Sequence, residues 1–136
     1  MEQLKARTGT MKSGVTSATQ AGLCLHIDGT DTLEVCAQSD VVIGVTADEQ
    51  ERDSSGLVAG GSVSYYTLGG VLMLASKAST SYAVGGFVYA DNSGLVAAAQ
   101  AGSSKKVGIF VGATGITTSG TAGDLIPVDT SFAEKV

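Results

Sequence analysis

Apolar residues fall in short runs broken by glycine or by Asn, Asp, Ser and Thr, and no stretch carries a sustained helical stripe with caps. Period-two alternation predicts strands at Leu23–Ile27, Leu33–Ala37, Val41–Thr46, Ser62–Leu68, Val71–Ala75, Phe87–Ala90, Leu95–Ala99, Val107–Gly112 and Asp124–Asp129. Turn signals separate them at Asp28-Gly29-Thr30-Asp31, Ser54-Ser55-Gly56, Gly69-Gly70, Asp91-Asn92-Ser93-Gly94 and Thr118-Ser119-Gly120. Lys77–Ala83 is expected as a helical turn. Many short strands at close spacing predict an all-β chain, a compact β-sandwich or small β-barrel. Residues 15–136 are expected to form a single β domain behind an extended amino-terminal arm at 1–14.

The first hairpin has a preferred register. A three-residue loop at Gly29–Asp31 pairs Ile27 with Leu33 and Leu25 with Val35 on one face. The same register sets His26 opposite Glu34 and Cys24 opposite Cys36 on the other; a slip by one residue mixes polar with apolar partners. Further on, two stretches look alike. Leu33–Gln38, Val42–Thr46 and Gly61–Thr67 follow one another as Leu95–Gln100, Val107–Val111 and Gly123–Asp129 do. The likeness fits either chance similarity among β-rich segments or a pseudo-symmetric pair of three-strand units. Pro127 cannot donate to a ladder, so its strand is expected at a sheet edge. Tyr65 and Tyr66 point to opposite sides of one strand, one toward a core and one toward a rim.

Composition narrows the function classes. The chain has 136 residues, no Trp, 5% aromatics, 19 Gly and 1 Pro, so its core must be built from Val, Leu, Ile and Ala around many turns. Its formal charge of −5 argues against nucleic acid as a partner, since that footprint is basic. The charge is uneven: Lys5, Arg7 and Lys12 face only Glu2 within residues 1–14, an acidic body with a basic start. No apolar leader segment opens the sequence and no apolar run is long enough to span a bilayer. Synthesis in a cytoplasm, with no membrane partner, is the expectation.

Candidate chemistry is sparse. Cys24, His26 and Cys36 offer three ligands where a tetrahedral zinc site needs four. Cys24 and His26 sit two apart on one strand, about 7 Å from each other, too far for a nucleophile–base hydrogen bond. A pair of thiols, or a cross-strand disulfide, beside a surface His–Glu pair is the simpler reading. The Gly60-Gly61 and Gly85-Gly86 pairs precede strands and lack the Lys-Ser/Thr of a phosphate loop. Asp48, Glu49, Glu51 and Asp53 lack the glycine-spaced pattern of a calcium loop and read as a solvated acidic loop. No catalytic residue, metal or cofactor is expected.

The ordered segments Ser39–Val45 (Ser-Asp-x-Val-Ile-Gly-Val), Gly61–Ser64 (Gly-x-Val-Ser), Ala83–Asp91 with Gly94 closing a turn, and Val107-Gly108-Ile109 resemble the tailed-phage capsid cement, or head decoration, protein family. The resemblance spans about residues 23–130. The sequence departs from the family in Gly86, where an acidic residue is common, and in its arm-like start. The resemblance implies a structural protein of the virion, made in the host cytoplasm. It would bind the outside of an expanded head through the major capsid protein, act as a homotrimer, and stabilise the shell against internal DNA pressure. On that reading Lys5, Arg7 and Lys12 are the capsid-binding residues. Pro127, Leu125 and Ile116, with the loop at 113–123, are the oligomer contacts. The alternative is a carbohydrate- or receptor-binding β-module of a virion or cell surface, whose aromatic platform would draw on Tyr65, Tyr66, Tyr82 and Tyr89. A small enzyme is the third class.

Overall fold

The computed structural model describes residues 7–11, 21–28, 32–47, 52–53, 56–57, 62–112 and 116–134. Its strands are Arg7–Met11 (β1), Cys24–Asp28 (β2), Thr32–Val35 (β3), Gly44–Thr46 (β4), Arg52–Asp53 (β5), Gly56–Leu57 (β6) and Ser62–Thr67 (β7). They continue as Val71–Ala75 (β8), Thr80–Ala83 (β9), Phe87–Ala90 (β10), Val96–Ala97 (β11), Lys106–Phe110 (β12), Ile116–Ser119 (β13) and Leu125–Asp129 (β14). Among the described residues the helical pieces are two 3-10 turns, Asn92–Gly94 and Thr130–Phe132. The chain is all-β, as the alternation predicts.

The first five-strand group is a closed barrel in the order β1-β3-β2-β4-β7. Its hairpin has the expected register, with Leu25 opposite Val35, His26 opposite Glu34 and Ile27 opposite Leu33. Residues 7–11 are not part of a free arm. They form a stave, antiparallel to β7 on one side and parallel to β3 on the other. The rest of the stretch 1–14 lies outside the described residues, as do the hairpin loop and residues 48–51.

The second group, the second barrel, is a five-stranded sheet in the order β11-β10-β12-β14-β8, whose ends meet at the isolated bridge between Ser76 and Val96. It repeats the first, strand for strand. Cys24 pairs with Val45 and Leu25 with Gly44; Phe87 pairs with Ile109 and Val88 with Gly108. Thr46 faces Tyr65 as Phe110 faces Val128. Gly22 N donates to Thr46 O, and Thr46 N to Leu23 O; Gly85 N donates to Phe110 O, and Phe110 N to Gly86 O, all at 2.9 Å. Gly22 and Gly85 share a left-handed backbone, φ 87° and 85°. The stave corresponds too: β1 meets β3 in parallel at Met11 and Leu33, and Ser76, just past β8, meets Val96 of β11 in a parallel bridge. The likeness seen in the sequence therefore reflects two units of five strands each, larger than the three-strand units that the pattern suggests.

Two expectations are corrected. Pro127 is not on an edge, because β14 lies between β12 and β8. Pro127 O accepts from Val111 N at 3.1 Å, so its nitrogen also faces the β12 side, at the point where β12 has ended at Phe110. The missing donor falls at the end of a ladder and costs little there. Lys77–Ala83 is no helical turn: Thr80–Ala83 pairs antiparallel with β13, from Ile116 opposite Ala83 to Ser119 opposite Thr80. That partner strand is remote in sequence and leaves no mark on local spacing.

The two interiors are filled differently. The first barrel holds Leu25, Leu33 and Val63, with Val35, Ile43 and Tyr65 packed against them. Where it sets Gly9 and Thr46 beside Tyr65, the second barrel has Leu74 and Phe110 beside Val128, so large and small side chains exchange places at roughly constant volume. The second interior continues outward into a shared cluster that takes Cys24, Cys36, Val42 and Val45 from the outside of the first barrel. Hydrogen bonds cross the same boundary: Ala75 N to Gly22 O at 2.8 Å, Gly94 N to Cys36 O at 2.8 Å and Lys105 N to Gln38 O at 3.1 Å. The short connection after β7 is held by Thr130, whose hydroxyl accepts from Gly69 N and donates to Gly70 O, each at 2.8 Å.

Gly44 and Gly108 occupy the same place in the two units. A Cβ on Gly44 would lie 2.8 Å from Tyr66 O, and one on Gly108 would lie 2.3 Å from Asp129 O, both backbone atoms that cannot step aside. Gly44→Ala and Gly108→Ala are each expected to cost about 1–3 kcal/mol by overpacking. Gly120→Ala, with nothing near its Cβ, should stay within about 0.5 kcal/mol of wild type. Urea unfolding of the three variants measures this directly, and equal midpoints would remove the close-approach account.

Candidate functional site

Three places bring together residues that sequence reasoning singled out. The first is the outer face of β2–β3. His26 Nε2 lies 3.3 Å from Glu34 Oε1, the expected cross-strand partner, and 3.3 Å from Asp40 Oδ2. Asp40 escaped the sequence reading because a turn delivers it: its carboxylate accepts from Ala37 N at 2.8 Å, which aims it back at the imidazole. The group ties the hairpin to the turn before β4. It leaves His26 no reach toward Cys24 as a base: the two share one face of β2, but positions two apart on a strand stand about 7 Å from each other, and the His26 Nε2 is engaged by the carboxylates.

The second is the thiol pair. Cys24 and Cys36 are both free and buried, and Cys36 N donates to Cys24 O at 2.9 Å, so they are neighbours across the hairpin as the register predicts. Both thiols lie in the shared core, because the second barrel covers that side of the hairpin. Burial pushes the Cys24 thiol up to about 12 from its ordinary 9.0. Cys36 is raised further, by burial first and then by the charges of Cys24, Asp40 and Glu34. A thiol held protonated in this way is neither a nucleophile nor a metal ligand at neutral pH. Among the described residues, no group of three or more His, Cys, Asp or Glu is placed to hold a metal ion.

The third is the outward side of the β10-β12-β14-β8 sheet. Phe87, Ile109, Asp129 and Val71 form one cross-strand row. Val111, Pro127 and Met73 form the next, and Leu125 lies beyond them. Two of the expected oligomer contacts, Pro127 and Leu125, thus share one face. Ile116 belongs to β13, in the separate β9–β13 ribbon; within the stretch 113–123 expected as a loop, Ile116–Ser119 is a strand. Lys106 Nζ sits 3.9 Å over the Phe87 ring and borders the face. Arg7 is exposed at the start of β1, and Lys5 and Lys12 lie outside the described residues. Met73, Phe87 and Ile109 escaped the sequence reading as surface residues, because an apolar strand position normally signals a core.

The tyrosines do not make a platform. Tyr65 packs into the first barrel and Tyr66 against the shared core. Neither is a rim residue. Tyr82 is buried, and Tyr89 is half-buried on β10. A cavity of about 590 Å³ is lined by Val41, Ile43, Leu68, Thr130 and Glu134 among others. Its one carboxylate is engaged, Glu134 Oε2 accepting from Lys106 N at 3.0 Å. No protein-family model, curated protein or solved structure matches the chain.

The buried thiols make stability depend on alkaline pH. Folding holds protons that the unfolded chain gives up above about pH 9, so the stabilisation is complete below that pH and drains away as pH rises toward 12. Each thiol should contribute a loss of about 1.4 kcal/mol per pH unit in that window. Urea unfolding between pH 7 and 10.5 of wild type and of a Cys24→Ala/Cys36→Ala variant tests it. The variant should show the shallower slope; parallel slopes would refute it.

Proposed function

We propose that this chain is a capsid decoration protein that binds the outer surface of an expanded tailed-phage head as a homotrimer, with the major capsid protein as its partner. The observation that carries the reading is where the resembling segments fall. Ser39–Val45 and Val107–Ile109 deliver Gly44 and Gly108, the paired close-approach positions of the two units. Ala83–Asp91 with Gly94 makes β10 and the turn that contacts the first barrel. The likeness thus sits on positions that constrain the fold and is not merely a shared abundance of small apolar residues. The absence of convergent reactive side chains among the described residues favours the same reading, since binding then falls to faces.

The mechanism is mass action. A protein that binds the assembled shell and not its dissociated parts stabilises the shell by RT ln(1 + [L]/Kd). Three linked copies multiply weak single contacts, because the second and third bind at high effective concentration. Lys5, Arg7 and Lys12 would meet acidic shell surface, steering encounter and weakening with salt. Arg7 lies on a barrel stave, so it would present its charge from a fixed position.

Co-sedimentation with expanded, undecorated heads is the test. Saturable binding at fixed stoichiometry, with a raised head melting temperature, is expected. Lys5→Glu/Arg7→Glu should weaken binding about tenfold or more at low salt. Substitution is the right probe, because deleting residues 1–14 would remove β1 and open the barrel. Wild type that does not saturate heads would sink the proposal.

A further inference from the structure

The internal repeat provides a comparison that a single barrel could not. Outward positions can be matched between the units, and their chemistry follows whether they are covered. On the first barrel, Cys24 and Val45 are 0% and 1% exposed, because the second barrel lies on them, and both are apolar. Outward positions of the same barrel away from that contact include polar ones: Thr8 and Thr10, both exposed, and Ser64, half-buried. In the second barrel the positions matching Thr8 and Ser64 are Met73 and Pro127, and those matching Cys24 and Val45 are Phe87 and Ile109. Among the described residues, Met73 and Phe87 are exposed, with Lys106 over the Phe87 ring, and Pro127 and Ile109 are half-buried. Phe87 is 46%, Met73 48% and Leu125 43% exposed. At the Met73 and Pro127 positions the fold tolerates hydroxyls in the first barrel, so stability does not require apolar residues there. A contiguous apolar face of this kind marks a surface that is covered in use.

What covers it can be argued from the molecule. Inside the chain, the surface that buries the equivalent face of the first barrel is another barrel of the same fold. The uncovered face is also continuous with that internal contact. A groove of about 330 Å³ runs between them, with Ala21, Val45 and Tyr66 on one side and Val71, Met73 and Leu125 on the other. The charged groups described on and beside the face are one of each sign: Asp129, whose carboxylate accepts from Ser131 N at 3.0 Å, and Lys106, laid over Phe87. A second copy therefore meets no net excess of one sign from these groups, although the whole chain is at −5.

We infer that the face formed by Phe87, Ile109, Val111, Pro127, Met73 and Leu125 is the contact between copies of this chain. The inference names the surface for the self-association in the proposed function and requires no shell. It is tested on free full-length protein by sedimentation velocity over a wide concentration range. Wild type should associate, and Met73→Lys and Leu125→Glu should each weaken association by roughly tenfold or more. Thr8→Lys, the matching substitution on the first barrel, should leave association unchanged. Circular dichroism and thermal melting of dilute samples confirm that each variant is folded; both substituted positions are exposed. Association unaltered in the Met73 and Leu125 variants, or weakened as much by Thr8→Lys, would overturn the inference. So would a wild type that stays monomeric at all concentrations. A monomer that still saturates heads would leave the decoration reading standing while refuting this surface.

Discussion

The second barrel closes at one point. Ser76 and Val96 form a lone parallel bridge, whereas the equivalent closure of the first barrel is a two-residue ladder between β1 and β3. So short a seam leaves apolar interior open beside it, and the remaining structure follows from how that opening is sealed. From within, the Tyr82 ring stacks on Phe110 at 5.5 Å, and its hydroxyl lies 2.7 Å from Ser76 Oγ and donates to Val96 O at 3.0 Å. From without, Cys24, Cys36, Val42 and Val45 of the first barrel join the exposed interior in one cluster. The two barrels are held together because one is incomplete without the other. The thiols are dry and protonated for the same reason.

Much of this was legible in the residues, and what was not has identifiable causes. Val71–Ala75 and Phe87–Ala90 were readable to the residue, because alternation there coincides with the strand. The hairpin register followed from matching Leu25 with Val35 and Ile27 with Leu33, and it correctly set the cysteines opposite each other. It could not say that the cysteine side is covered, since the covering comes from residues more than thirty positions away. Pro127 misled because a missing donor was equated with a sheet edge, when the end of a neighbouring ladder serves equally well. Arg7–Met11 has no apolar alternation, and only the two open ladders of β3 and β7 make it a strand. The expected oligomer contacts divided for a similar reason: Pro127 and Leu125 alternate on one strand and must share a face, while Ile116 reaches a different ribbon.

The repeat also shows which features of such a barrel are obligatory. Gly44 and Gly108 recur because backbone lies against them in both units, and Gly22 and Gly85 recur because both turns need a positive φ. Interior residues do not recur. Tyr65 in one unit and Phe110 in the other supply the bulk from different strands, with Gly9 and Thr46 giving way in the first case and Val128 in the second. The scaffold prescribes where backbone passes close to backbone and leaves the filling of the interior open, provided the volume is kept.

Outward positions follow a third rule, and it bears on function. Their polarity tracks coverage: apolar under the second barrel, hydroxyl-bearing where β1 and β7 meet solvent. The face of the second barrel that breaks this rule acts only at contact, whereas a charge of −5 repels over a screening length of about 8 Å at physiological salt. Long-range repulsion with short-range apolar attraction keeps dilute copies apart and makes their contact depend on being brought into register. In the proposed role an expanded head supplies that register, holding neighbouring copies at high effective concentration, so that a self-contact that needs raised concentration in free solution is made readily on the shell. Shell binding and self-association then reinforce each other by linkage, each raising the apparent strength of the other by the same factor.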